Sequence, residues 1–253
     1  MMWQPVSGCG PHCRDGADVP AARGLAALRL LALAGVLLGG CVVVPLMRGA
    51  ALRALARTML AAIGVRVERR GPTLRPGSLI VANHVSWLDI LVLLATSPAR
   101  LVAKGEVGGW PGIGRLAGLS GAIFLDRARP KELPRTVGEV TASLRAGRSV
   151  AVFPEGTTFC GVTQGRFRPA MFQAAIDAGA PVVPTSINYD STAAAFIGDD
   201  TLWESVRRVA ALRSLTVTLV TAPALRPAPE ADRRALARAA QTSMGVGGYR
   251  LAA

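Results

Sequence analysis

From residue 78 onward the chain alternates between short apolar runs and longer stretches in which apolar residues recur at helical spacing. The runs are 78–82, 99–103, 121–126, 149–153, 181–188 and 215–221. They are apolar and rich in β-forming residues, the composition of strands. Between them lie helix-compatible stretches at 86–96, 111–119, 132–146, 169–178 and 201–212, and a last one, 230–241, follows the final strand. Pro111 and Pro169 stand where a first helical turn tolerates proline. Strand and helix alternating at this pitch predict an α/β fold, a largely parallel sheet with helices on both faces.

The chain before residue 65 has a different pattern. Leu30–Met47, "LLALAGVLLGGCVVVPLM", contains no charge and is about long enough to cross the hydrocarbon core of a bilayer. Arg23 and Arg29 precede it, as in a signal peptide, and "LGGC" at 38–41 resembles a lipobox. A processing site is followed by polar mature sequence, whereas Val42, Val43, Val44 and Pro45 prolong the apolar run. A retained anchor is therefore expected. Gly35, Gly39, Gly40 and Pro45 are compatible with a kinked, monotopic insertion as well as with a span. Residues 50–63 place Leu52, Leu55, Met59 and Ile63 at helical spacing, either a surface-lying amphipathic helix or an ordinary helix packed on the core. The flank after the apolar run is basic, with Arg48, Arg53, Arg57, Arg66, Arg69 and Arg70, which puts the body of the chain on the cytoplasmic face of the cell membrane. Residues 1–22 mix Gly, Pro and isolated charges without periodicity, so a disordered tail is expected there. The expected organisation is thus a tail at 1–22, membrane-associated helices at 23–64 and an α/β domain at 65–253.

Composition changes this picture little. The formal net charge is +13, and the only lysines are Lys104 and Lys131. A genomic preference for arginine codons explains such a balance as readily as an acidic partner does. Aromatic residues make up 5%, too few for the stacking platforms of single-stranded nucleic-acid binders, and no nucleic-acid-binding signature occurs. Cys9 and Cys13 flank His12 in "CGPHC", yet no second pair follows at the spacing of a two-knuckle zinc site, so no metal is expected.

The chemistry gathers at the ends of the predicted strands, where ligands of open α/β sheets bind. "SLIVAN" leads to His84, "GAIFLDR" to Asp126 and Arg127, and "SVAVFPEG" to Glu155 and Gly156. His84 is the one histidine outside the tail, and Asp89 follows five residues later. On a continuous helix these two side chains do not share a face. With His84 in the loop and the helix starting near Ser86, its N-cap, Asp89 sits in the first turns and reaches back. A carboxylate on one ring nitrogen fixes the tautomer and leaves the other nitrogen as a base for a hydroxyl proton.

"NHVSWLD" resembles the histidine–four residues–aspartate motif of the glycerophospholipid acyltransferases. "GAIFLDR" is similar to that family's second block, "FPEGTTF" to its third and "VVPTSINY" at 182–189 to its fourth, in the family's order. The whole looks most like the bacterial 1-acylglycerol-3-phosphate type, which makes phosphatidic acid. The resemblance implies His84 as general base, Asp89 as its orienting partner, and acyl-CoA or acyl-carrier protein as donor, with no metal or redox cofactor. It implies that Arg127, Glu155, Gly156, Thr157 and Thr158 belong to the acceptor-binding face. Lys104, just past a strand, is a further candidate for an anionic headgroup. In the family an arginine commonly stands where this chain has Thr158. Either Arg127 together with the nearby Arg166 or Arg168 holds the acceptor phosphate in its place, or the acceptor is lyso-ornithine lipid, which offers a hydroxyl on an acyl chain. A membrane-bound lipid-binding relative that has lost catalysis would have no need of the His84–Asp89 pair.

Overall fold

A computed structural model describes residues 5–14, 20–47, 50–110, 112–126 and 129–248. Seven strands form one sheet: β1 (Val65–Arg70), β2 (Leu79–Ala82), β3 (Arg100–Lys104), β4 (Ile123–Leu125), β5 (Val150–Val152), β6 (Val182–Tyr189) and β7 (Leu215–Thr221). Their order is β1-β7-β6-β2-β5-β3-β4, parallel throughout except for the antiparallel pair β6–β7. The α/β, largely parallel architecture is as the pattern predicts. The strand it does not predict is β1. Val65 and Val67 alternate with Arg66 and Glu68, and Arg69 and Arg70 follow, so the strand is apolar only at alternate positions. Charge of this kind is typical of an edge strand.

The central strand β2 shows why the apolar runs are unbroken. Leu79 and Val81 point into a core shared with α5 (Leu133–Arg145), α6 (Ala170–Ala178) and α8 (Arg233–Gly248). Ile80 and Ala82 point into the opposite core, beneath α2 (Ala50–Ala62), α3 (Leu88–Thr96) and α7 (Leu202–Ala210). All four residues are fully buried. Alternation still operates, but both alternate faces are covered by helices, and each buried Leu or Ile contributes roughly 1.5–3 kcal/mol.

The helices before residue 65 are part of this body. α1 (Arg23–Met47) runs unbroken through Gly35, Gly39 and Gly40. Its Leu33 and Val44 are buried, whereas Leu28, Leu31, Leu38 and Val42 are 62–72% exposed. These four recur at three-, seven- and four-residue steps, one stripe of the helix. Arg29 fastens the other face, donating hydrogen bonds to the carbonyls of Ala210, Leu212 and Arg213 at the end of α7. Arg23–Val44 is long and apolar enough to cross a membrane by length and composition, with a mean hydropathy of 2.3 over its most apolar 18 residues. α2 buries Ala56 and Leu60 against the core and lies beside α1 and α3, so of its two expected roles it fills the ordinary one, a helix packed on the core.

The expectation of a disordered tail over 1–22 fails for residues 5–14. Cys9 is buried in a small cluster with Val85, Cys160, Ala195 and Ile197, a short 3-10 turn spans Pro11–Cys13, and Arg14 pairs with Asp200. The composition carries no periodicity because this segment is held by scattered contacts with the body rather than by a helix or strand of its own.

Candidate active site

The site begins where β2 leaves the sheet. The side chain of Asn83 continues the ladder, its Nδ2 donating to the Ile187 carbonyl at 3.0 Å and its Oδ1 accepting from the Ile187 amide at 2.7 Å. The backbone of the next residue is thereby freed from strand pairing, and His84 stands at the strand end. α3 then starts with Asp89 in its first turn. Asp89 Oδ2 accepts from the amides of Val85 at 2.7 Å and Ser86 at 2.9 Å, and lies 2.8 Å from His84 Nδ1. The helix is therefore capped by Asp89 reaching backward. Ser86, expected as the N-cap, is fully buried and serves the first turn in that sense: its hydroxyl accepts from the Leu88 amide at 3.4 Å and its carbonyl from the Asp89 amide at 3.1 Å, while its own amide holds the carboxylate.

Tyr189 Oη donates to the other oxygen, Asp89 Oδ1. Asp89 has no solvent exposure, and four donors compensate for its lost hydration. Burial, and then the Asp89 charge, push the Tyr189 phenol well above its ordinary range, so it remains a neutral donor. With Nδ1 committed to Asp89, the remaining ring nitrogen of His84 is Nε2. The ring stacks on Phe153 at a centroid distance of 4.1 Å and an interplanar angle of 16°, and the side chain keeps 17% exposure. A fixed imidazole with a buried carboxylate behind it can accept a proton at Nε2 and stabilise the resulting imidazolium.

Glu155 supports the same loop from below. Its Oε2 accepts from the His84 amide at 2.6 Å and its Oε1 from the Gly165 amide at 2.9 Å. Burial pushes this carboxyl up to about 8, with the Asp89 charge adding and the two amide donors opposing. Glu155 ties the third block to the histidine loop through the backbone. Gly156 turns the chain at φ +79°, and a Cβ there would lie 2.9 Å from Pro5 and 3.5 Å from Arg168 Nε. The close approach of Arg168 brings a cation to this turn.

The other expected site residues are distributed less tightly. Thr158 donates its hydroxyl proton to the Phe196 carbonyl, so it ties down the loop and offers no proton outward. Thr157 lies between Gly156 and Thr158 on the same turn, half-buried. Lys104 ends β3 and pairs on the surface with Glu106 at 3.3 Å. Arg127 and Pro111 lie outside the described residues. Three contributors were not singled out from the sequence: Tyr189, Phe153 and Asn83. Tyr189 closes the fourth block, Asn83 directly precedes His84 and Phe153 stands two residues before Glu155, but nothing in the spacing says which partners they reach.

The family model for acyltransferases matches residues 64–188. A 1-acyl-sn-glycerol-3-phosphate acyltransferase of Neisseria gonorrhoeae is 35% identical over 78% of this chain and 79% of its own length. The chain belongs to the acyltransferase family. A lyso-ornithine lipid O-acyltransferase of Pseudomonas aeruginosa is also 35% identical, over 75% of this chain and 74% of its own. The crystal structure of the 1-acyl-sn-glycerophosphate acyltransferase of Thermotoga maritima superposes with a TM-score of 0.62 at 22% identity, covering 88% of this chain and 93% of that one, a likeness of fold. The acyltransferase match spans the His84–Asp89 pair, Glu155 and the strand that delivers Asn188, and stops one residue before Tyr189.

Proposed function

We propose that this acyltransferase transfers a fatty acyl group from acyl-CoA or acyl-carrier protein to the free hydroxyl of 1-acylglycerol-3-phosphate, giving phosphatidic acid. The observation that carries the reading is the 2.8 Å contact of His84 Nδ1 with the fully buried Asp89. His84 Nε2 takes the acceptor's hydroxyl proton as the oxygen attacks the thioester carbonyl. The tetrahedral intermediate collapses, the carbon–sulfur bond breaks, and Nε2 gives its proton to the leaving sulfur, which departs as the thiol and restores the neutral imidazole. Asp89 stabilises the imidazolium between the two steps. The cation beside Gly156, Arg168, serves the acceptor phosphate together with Arg127, and Glu155, Gly156, Thr157 and Thr158 shape the turn it approaches.

The exposed stripe Leu28, Leu31, Leu38 and Val42 enters the membrane while the opposite face of α1 stays docked on the body, a monotopic arrangement. The basic flank sets the body on the cytoplasmic side. Thr158 favours a second reading, lyso-ornithine lipid as acceptor, because its hydroxyl proton is already given to Phe196 and no arginine stands at that position. The test is an acceptor panel with one labelled acyl-CoA against lysophosphatidic acid, lyso-ornithine lipid, other lysophospholipids and water. Turnover of lysophosphatidic acid above the rest supports the first reading. Acylation of lyso-ornithine lipid alone replaces it with the second, and release of free acid alone removes both.

A further inference from the structure

The "CGPHC" stretch has no partner in the sequence, but it has one in space. The sulfurs of Cys9, Cys13 and Cys160 all lie within 4.8 Å of one another. Cys9 and Cys160 are buried, Cys13 half-buried, and all three are free thiols. Cys9 and Cys160 stand 151 residues apart. The 3-10 turn Pro11–Cys13, closed by the Cys13 amide on the Gly10 carbonyl at 2.9 Å, folds Cys13 back toward Cys9. Gly161, at φ +90°, turns the other segment so that the Thr163 amide donates to Cys160 Sγ at 3.4 Å. The Cys160 amide donates to Cys9 Sγ, also at 3.4 Å. Both amides thus point at sulfur. Arg14, which follows Cys13 directly, anchors the segment: its guanidinium contacts Asp200 and the carbonyls of Ala195 and Ile197, two members of the same cluster.

We infer that Cys9, Cys13 and Cys160 form a metal site for zinc or a similarly thiophilic ion, which clamps the N-terminal segment to the loop after the third block. The donor set fits: three sulfurs suit a thiophilic metal, and Cys9 and Cys13 stand at a spacing usual for one half of a zinc site. Tetrahedral zinc with zinc–sulfur bonds of about 2.3 Å needs sulfurs about 3.8 Å apart, so a closure of about 1 Å suffices. The fourth position falls to solvent at the Cys13 edge, the more open side. A simple disulfide would use two of these sulfurs and leave the third without a role. The clamp lies next to the histidine loop. Phe159, one residue before Cys160, donates its amide to the His84 carbonyl at 2.8 Å, and Pro5 packs on Gly156. The inference concerns the thiols alone and stands whether or not the acyl transfer is as proposed.

The test uses the full-length protein, purified in detergent under reducing conditions and titrated with Co²⁺ and then Zn²⁺. We expect one equivalent of Co²⁺ to give a thiolate-to-cobalt charge-transfer band, and Zn²⁺ to abolish it. Cys9→Ser, Cys13→Ser and Cys160→Ser should each weaken binding by at least about 100-fold, beyond the ten- to hundred-fold typical of losing an outer-shell partner. Cys41→Ser, in α1, should leave it unchanged. Adding a chelator to the zinc-loaded protein should raise hydrogen exchange in residues 5–14 and 159–165. Absence of the charge-transfer band overturns the site, as does equal loss in Cys41→Ser. A protein whose reduced thiols bind no metal but oxidise to a Cys9–Cys160 or Cys13–Cys160 disulfide overturns it in favour of thiol redox chemistry.

Discussion

Asp89→Asn separates the charge of the pair from its geometry. Two backbone amides, those of Val85 and Ser86, aim at the oxygen that also faces His84 Nδ1. An asparagine must therefore place its carbonyl oxygen there, since its amide group would meet two donors. The imidazole keeps its acceptor and its tautomer, and Tyr189 accommodates the new NH₂ by accepting instead of donating. What disappears is the negative charge behind the imidazolium formed as the acceptor hydroxyl attacks. Two unit charges about 4 Å apart interact by about 4 kcal/mol at an effective dielectric constant of about 20. A neutral hydrogen bond retains part of this, so the barrier rises by about 3–4 kcal/mol, a drop of 10²- to 10³-fold. The loss should fall equally on kcat and kcat/KM, because the charge is needed only in the transition state. The assay is steady-state acyl transfer with kcat and KM separated. An Asn variant within threefold of the wild-type kcat would refute the electrostatic role of Asp89.

His84→Ala should lower turnover by at least about 10²-fold with little effect on the melting temperature, read by acyl transfer and a thermal scan in detergent. Glu155 has a folded value, about 8, above its ordinary 4.5. Its contribution to stability is therefore full below pH 4.5 and is lost as pH rises through about 8. Urea midpoints should fall across that window in the wild type, and the part of the slope due to Glu155 should vanish in Glu155→Gln. Arg168→Ala should raise the acceptor KM about ten- to a hundred-fold for lysophosphatidic acid, the range for a lost charged hydrogen bond, and leave the acyl-CoA KM and any turnover of lyso-ornithine lipid unmoved. Replacing Leu28, Leu31, Leu38 and Val42 together by serine should release the protein from vesicles in a flotation assay, each residue weakening partition by roughly 1.5–3 kcal/mol. Deleting residues 1–64 is a poorer test, because Leu33, Ala56 and Leu60 belong to the core.

The sequence by itself determined the α/β class, six of seven strands, and the helices between them, because strands buried on both faces and helices with one apolar stripe have different periods. It also determined the His84–Asp89 pair: five residues across a loop-to-helix junction is a local relation, readable along the chain. Tertiary structure decided what depends on partners distant in sequence. β1 exists as a strand because β7, 150 residues later, supplies its ladder, with Val65 beside Leu215. Asp89 is compensated by Tyr189, 100 residues away, and Glu155 binds the His84 amide across 71 residues. Thr158 is directed to Phe196 by the loop it ties, which no residue count foretells. Cys9 and Cys13 look like half of a metal site without a partner, and only the fold carries Cys160 to them. Local pattern fixes which face of an element is apolar. Which two faces meet, and which polar atoms meet with them, is settled when the layers pack and every buried donor and carboxylate has to find a partner.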